Sequence, residues 1–264
     1  MHEPVSVCVV GLGYVGLPTA AVISNRGISV TGVDIKKSVT DAVANGETPI
    51  AEPGLDILVK SAVASGYLRA KSEPVAADVF ILAVPTPFKE NKIPDLSYLE
   101  DAISSIARVL SPGNLVILES TSPVGTTEKI AASLATYRPD LVVPGDHRDP
   151  DIFIVHSPER ILPGRVLVEL VDNDRVIGGL TRACSQKAAE FYKLFVQGKC
   201  HITNARTAEL VKLAENAYRD TNIAFANEMS LVCEDLDIDV WEMRELANMH
   251  PRVNILIPGP GVGG

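Results

Sequence analysis

Cysteine is scarce in this chain, four in 264 residues at positions 8, 184, 200 and 233, and no two form a C-x-x-C pair. That spacing excludes a disulfide framework and a cysteine-based zinc site, so the four are read as reduced structural residues, with Cys8 and Cys233 in the core. Positive charge is also short. Twenty-four Lys and Arg against 33 Asp and Glu leave a net −9, which argues against nonspecific binding to a phosphate backbone. No apolar run reaches the ~20 residues of a membrane span. Val7 to Ile23 is apolar or small, but no Lys or Arg precedes Arg26, and Gly11, Gly13, Gly16 and Pro18 interrupt it. It is therefore not read as a secretory signal. A cytoplasmic protein without nucleic-acid or membrane partners is expected. With 46% hydrophobic residues a sizeable core is assured, and at about 150 residues per domain the length suits one large domain plus part of a second.

Short apolar, β-branched runs alternate with helical segments. Strands are expected at Val5–Val10, Ile28–Val33, Asp78–Val84, Leu115–Glu119 and Ile152–His156. Helices are expected near 36–46, 54–65, 95–110 and 125–137, and the loop Pro139–Pro150 reads as solvated. Continuous apolar strands separated by helices predict an α/β fold, a Rossmann-like doubly wound, mostly parallel sheet with both faces covered. After Thr181 a helix over 182–196 and a strand near Cys200–Thr203 lead to a helical run from about Ala208 to Leu236, without Gly or Pro. At 1.5 Å per residue it would span about 40 Å, long enough to bridge domains or cross a dimer interface. The expected division is a dinucleotide-binding domain over 1–203 and a central helical domain over 204–264. The chain stops on the Gly/Pro-rich IPGPGVGG, which reads as cut short.

The clearest chemical signal is Gly11-Leu12-Gly13-Tyr14-Val15-Gly16, a G-x-G-x-x-G between a strand and a helix, with Asp34 at the end of the next strand. Gly11 allows the tight turn, Gly13 the approach of backbone amides to a pyrophosphate, and Gly16 close helix–strand packing. Tyr14 and Val15 complete the loop, and the helix N-terminus favours the phosphates. Asp34 would accept from ribose hydroxyls and repel a 2′-phosphate, so NAD is expected rather than NADP. Thr86, Thr121 and Thr127 follow two further strand ends and offer hydroxyls to the same crevice, although Thr126 or Thr127 serves equally well as a helix cap. Further on, Lys212, Asn216 and Arg219 share one helical face at i, i+4 and i+7. They are either a solvated stripe bridged by Glu209 or Glu215, or a Lys–Asn pair that holds a developing oxyanion.

GLGYVGLP, VPTPF, ESTSPVGTTE, SPERILPGR, AELVKLAENAYRDTNIAFANE and HPRVNILIPGPGVGG together resemble the UDP-glucose/GDP-mannose dehydrogenase family, in order and along essentially the whole chain. The resemblance implies a four-electron oxidation of a UDP-sugar C6 alcohol to the carboxylate by two NAD⁺, through a cysteine thiohemiacetal and thioester. By motif position Lys212 and Asn216 would stabilise oxyanions, Glu159 would be the acid/base for hydrolysis, and Thr121 would position water. Arg160, Ile161, Arg219, His250, Arg252 and Gly263 fall where the family binds substrate, with Lys212 and Asn216 also touching it. Family resemblance also implies a homodimer through the long helix.

Two departures matter. Pro163 stands where UDP-glucose members carry a second glutamate, which favours the acetamido-sugar branch, with UDP-N-acetylmannosamine ahead of UDP-glucose or UDP-N-acetylglucosamine. The family's nucleophilic cysteine follows the Gly-Val-Gly-Gly loop, and this sequence ends at Gly264. These 264 residues alone are therefore expected not to complete turnover, and a non-catalytic NAD-binding or dimerisation module is the rival reading.

Overall fold

The computed structural model of the chain describes residues 5–145 and 149–261. Two compact units are present, residues 1–210 and 211–264. The first begins with β1 (Ser6–Val10), α1 (Gly16–Ser24), β2 (Ser29–Val33), α2 (Lys37–Ala44), α3 (Leu55–Ala64), β3 (Leu68–Lys71) and β4 (Val79–Leu82). It continues with α4 (Ser97–Ala107), β5 (Leu115–Leu118), α5 (Thr126–Tyr137), β6 (Phe153–His156), α6 (Val166–Asp172), β7 (Arg175–Gly179), α7 (Arg182–Tyr192) and β8 (Cys200–Asn204). The helix α8 (Ala205–Asp235) leaves it, and α9 (Val240–Asn248) belongs to the second unit.

All eight strands form one sheet in the order β3-β2-β1-β4-β5-β6-β7-β8. Neighbours are parallel except β6 and β7, which pair antiparallel at Val155↔Gly179 and His156↔Gly178. The two-residue period of a strand explains why the central strands read as unbroken apolar runs. Val7 and Val9 of β1, Val79 and Ile81 of β4, and Leu115 and Ile117 of β5 face one core with α1, α3 and α7. Cys8 and Val10, Phe80 and Leu82, and Val116 and Leu118 face a second core with α4 and α5. Strand order reverses between β1 and β4, so a crevice opens at the carboxyl ends of these strands, where α/β sheets take their ligands.

Several elements lie outside the sequence expectations. The strands β3 and β7 and the helices α6 and α9 join the expected set, and β7 and the expected strand β8 extend the sheet beyond β6. The 139–150 loop is only partly solvated, because Leu141 is buried against the second core and the Val142 N–H donates to Asp151 Oδ2 at 2.7 Å. Cys8 and Cys233 are buried as read, and so is Cys184, whereas Cys200 is half-buried. Burial pushes the Cys8 thiol up to about 11, which keeps it protonated and inert at neutral pH. No helix among the described residues is long and apolar enough to cross a membrane.

Within the second unit, α9 starts at Asp239, whose carboxylate accepts from the Trp241 N–H at 2.8 Å and caps the helix. Asn227 of α8 takes the Gly259 N–H at 2.8 Å and donates to the Gly259 carbonyl at 2.9 Å, so the Ile-Pro-Gly-Pro segment is pinned to that helix.

Candidate active site

The loop after β1 shows why glycine stands at 11 and 16. Gly11 has φ +95°, and a Cβ there would lie 2.5 Å from the Ala83 carbonyl oxygen just beyond β4. A Cβ on Gly16 would lie 1.8 Å from the Gly11 carbonyl oxygen and 3.2 Å from the Ala83 Cβ. The turn, the helix start and the end of β4 are thus in contact without room for a methyl group. Gly13 differs: a Cβ there meets nothing within 4 Å, and the residue is exposed. It faces the open space that a pyrophosphate needs if amides are to approach it.

The start of α1 fits an anion. It has no side-chain cap and no acidic residue in its first turn, so its positive end meets no negative side chain from its own sequence. Asp34 follows β2 and accepts from the Leu12 N–H at 3.0 Å and the Lys36 N–H at 2.9 Å. It therefore braces the glycine loop while its half-buried carboxylate stays beside the crevice. Tyr14 donates its hydroxyl to Glu52 at 2.6 Å, and Val15 is the residue before α1. These groups fit a dinucleotide, with Gly13 and the α1 amides for the pyrophosphate and Asp34 for a ribose. A Gly16→Ala variant is expected to lose about 3 kcal/mol of stability from overpacking, since the clash is with backbone. Thermal melting checks this, and an unchanged melting temperature would contradict it.

Thr86 and Thr121 meet. The Thr86 hydroxyl donates to the Thr121 carbonyl at 2.6 Å, joining the segments that follow β4 and β5. Thr127 is different from both sequence readings. It is fully buried, and its amide and hydroxyl donate to Glu209 Oε1 at 2.8 and 2.6 Å, while the Gly125 N–H donates to Glu209 Oε2 at 2.6 Å. The start of α5 is capped by a carboxylate from α8, so the Thr127 hydroxyl already has an acceptor and is removed from solvent. Glu209 is consequently buried rather than part of a solvated stripe, and the Thr126 hydroxyl turns back to the Pro123 carbonyl at 2.6 Å.

Glu159 lies three residues past β6, buried at 5% exposure. It accepts from the Arg160 N–H at 2.7 Å and pairs with the Arg175 guanidinium, whose side chain is as buried as its own. Arg175 also donates to the Leu170 carbonyl at 3.0 Å and sits 5.4 Å from the Tyr192 ring centroid. Tyr192 in turn donates to Glu119 Oε1 at 3.0 Å. Burial, and then the Glu159 carboxylate, push Glu119 up to about 7. The cluster thus holds two carboxyl groups and one guanidinium, with Glu119 able to carry a proton near neutral pH. Ile161 packs half-buried against the first core, and the Arg160 guanidinium reaches the Asp174 carbonyl at 3.5 Å.

Sequence reasoning missed Arg175, Glu119, Tyr192 and Glu52, and the cap that Glu209 forms on α5. A charged residue opening the apolar run RVIGG, or ending LVILE, was the available signal, but neither names its partner.

In the second unit α8 is continuous through 212–219, so Lys212, Asn216 and Arg219 share a face as expected. Lys212 and Asn216 are half-buried and Arg219 is exposed. The helix is less enclosed than its apolar sequence suggested: Leu210 is 56% and Tyr218 63% exposed. His250 and Arg252 are exposed after α9, with the Arg252 N–H donating to His250 Nδ1 at 3.3 Å. Gly263 lies outside the described residues.

Comparison with known proteins agrees with this geometry. The NAD-binding domain model of the UDP-glucose/GDP-mannose dehydrogenase family matches residues 5–196, and the model of its central domain matches 206–264. UDP-N-acetyl-D-mannosamine dehydrogenase of Campylobacter jejuni is 59% identical over all of this chain, which spans 65% of that protein. The NDP-N-acetyl-D-galactosaminuronic acid dehydrogenase of Ralstonia nicotianae is 57% identical over 98% of the chain, which spans 62% of its length. Among solved structures, UDP-D-ManNAc dehydrogenase from Pyrococcus horikoshii is 44% identical with a TM-score of 0.91, over 98% of this chain and 61% of its own. The cofactor of the first unit is NAD. The chain belongs to the UDP-glucose/GDP-mannose dehydrogenase family.

Proposed function

We propose that the chain supplies the NAD-binding and central parts of an enzyme that oxidises the C6 alcohol of a UDP-sugar to the carboxylate, with UDP-N-acetyl-D-mannosamine as substrate, for a surface-polysaccharide precursor. The observation that carries this is the open cradle at Gly13, where Asp34 braces the loop, together with the buried Glu159 in the same unit. NAD⁺, when bound, supplies the hydride acceptor. The protein's own residues do the rest in this reading. Gly11, Gly13, Tyr14, Val15, Gly16 and Asp34 hold the dinucleotide, and Thr86 and Thr121 shape the crevice beside it. Glu159 moves the proton of the hydrolytic water that Thr121 orients, its carboxylate kept in place by Arg175 and the Arg160 amide.

Lys212 and Asn216 stabilise oxyanions, and Arg160, Ile161, Arg219, His250, Arg252 and Gly263 bind the UDP-sugar. Arginine forks suit its diphosphate. In this reading the thioester step belongs to the cysteine that follows the Gly-Val-Gly-Gly loop in the family. The acetamido sugar is favoured by Pro163 and by the names of the relatives. A homodimer through α8 is supported by its exposed Tyr218, Phe225, Leu231 and Val232, which are 63, 49, 56 and 44% exposed.

Calorimetry of the chain with UDP-N-acetylmannosamine, UDP-glucose and UDP-N-acetylglucosamine in saturating NAD⁺ tests the substrate assignment. The acetamido-mannose nucleotide should bind with the highest affinity of the three. Tighter binding of UDP-glucose would overturn the assignment.

A further inference from the structure

Glu52 precedes α3, and nothing in the proposed chemistry requires it, yet it is a charged side chain only 8% exposed. One oxygen accepts the Tyr14 hydroxyl at 2.6 Å and the Gly164 N–H at 3.0 Å, and the other accepts the Val166 N–H at 2.9 Å. Tyr14 belongs to the glycine loop, whereas Gly164 and Val166 end the SPERILPGR segment and open α6. A single carboxylate therefore ties two segments to its own, one 38 positions before it and one 112–114 positions after it.

The local geometry makes this junction firm. Gly164 turns with φ +83°, and Gly54, at φ +78°, places its Cβ position 3.6 Å from Leu167 of α6. The Tyr14 hydroxyl and the two amides hold the Glu52 carboxyl below the usual carboxylate range, so it is ionised and fully an acceptor at neutral pH. Burial and the Glu52 charge raise the Tyr14 phenol, which keeps its proton to donate. Charge-assisted bonds of this kind are shorter and stronger than neutral ones. The segment is tied elsewhere by the Leu162 N–H to Glu169 at 2.8 Å and by Glu159 to Arg175; toward the glycine loop it is tied at the Glu52 junction, where the Gly164 N–H that donates to Glu52 also faces the Tyr14 hydroxyl.

We propose that Glu52 is a positioning residue that couples the two halves of the site: through Tyr14 it transmits occupancy of the glycine loop to residues 159–166, the segment carrying Glu159, Arg160 and Ile161. The inference rests on the NAD and substrate assignments made above. A dinucleotide that fixes Tyr14 would also fix the Glu52 carboxylate and the two amides it holds. An element that two ligands bias through one hydrogen-bonded junction is a coupling device in the thermodynamic sense.

Amide hydrogen exchange of the 264-residue chain with and without NAD⁺ tests this. In the wild type, NAD⁺ should slow exchange in residues 11–17 and, by roughly fivefold, the weight of one net hydrogen bond, in 160–166. Tyr14→Phe removes only the hydroxyl and leaves both amide bonds to Glu52; because Tyr14 belongs to the dinucleotide site itself, its NAD⁺ affinity is measured first and exchange is compared with each protein saturated. In this variant the slowing at 11–17 should persist, and that at 160–166 should vanish. Glu52→Gln should lose the remote effect as well, and should speed exchange of Gly164 and Val166 even without NAD⁺. The double variant should add nothing further to the remote loss, as members of one pathway do. Protection at 160–166 that survives in Tyr14→Phe, or wild-type protection confined to 11–17, would overturn the coupling. An absence of any NAD⁺ effect in the wild type would instead overturn the cofactor assignment on which the proposal rests.

Discussion

Arg175→Met is expected to lower stability by about 3–5 kcal/mol, the usual cost of leaving one partner of a buried ion pair alone. The guanidinium is nearly inaccessible and serves Glu159, the Leu170 carbonyl and the Tyr192 ring at once. Methionine fills most of its volume and supplies neither charge nor donor. The Glu159 carboxylate would then stay buried without its counter-ion, beside a second buried carboxyl group, Glu119. Adding Glu159→Gln to Arg175→Met should recover much of the loss, because an uncharged pair of similar volume no longer needs a counter-ion. Urea unfolding of the two variants beside the wild type decides it. A loss below about 1 kcal/mol for Arg175→Met would mean that the pair is solvated in solution.

Glu119→Gln is expected to leave stability unchanged below about pH 4 and to raise it at pH 8, by on the order of 3 kcal/mol. Glu119 is pushed from 4.5 to about 7 by burial and by Glu159. Between those values the folded chain keeps a proton that the unfolded chain has released, so stability falls as pH rises from 4.5 to 7. Glutamine imitates the protonated form, still accepts from Tyr192, and abolishes that fall. His156 acts in the opposite sense. Burial lowers it from 6.5 to about 4, so the unfolded chain takes a proton that the folded one refuses, and stability falls as pH drops through that window. The two slopes oppose each other between pH 4.5 and 6.5, and the wild type should be nearly flat there. The glutamine variant should instead gain stability as pH rises from 4 to 6.5, then hold level. Melting curves across pH 4–8 show this directly, and a variant less stable than wild type at pH 8 would contradict it.

The parts of this site legible in the sequence are those where local backbone geometry dictates residue type. Gly11 and Gly16 are readable because no other residue fits against Ala83 and the Gly11 carbonyl, and Asp34 because it ends a strand whose start is fixed by the apolar run before it. The central strands were visible because both faces are buried, so each position had to be apolar. The edge strand β3 reads LRAK, with charges at exposed positions, and carries no such pattern. Partnerships across the fold were not legible at all. Glu209 looked like one more charge on a helix, yet it caps α5 from 82 positions away. Arg175 and Glu159 are 16 positions apart with a helix between them, and only the antiparallel turn of β7 against β6 brings them together. Thr127 was misjudged for the same reason, since its acceptor arrives from α8.

The central claim, that the glycine loop is an NAD site whose open face is Gly13, is tested most directly by calorimetric titration of wild type and Gly13→Val with NAD⁺. The account predicts saturable binding to the wild type, and at least a tenfold loss in Gly13→Val with no change in melting temperature, because the valine enters space that meets nothing within 4 Å in the protein itself. Equal affinity in the two proteins, or no binding to the wild type, would contradict it.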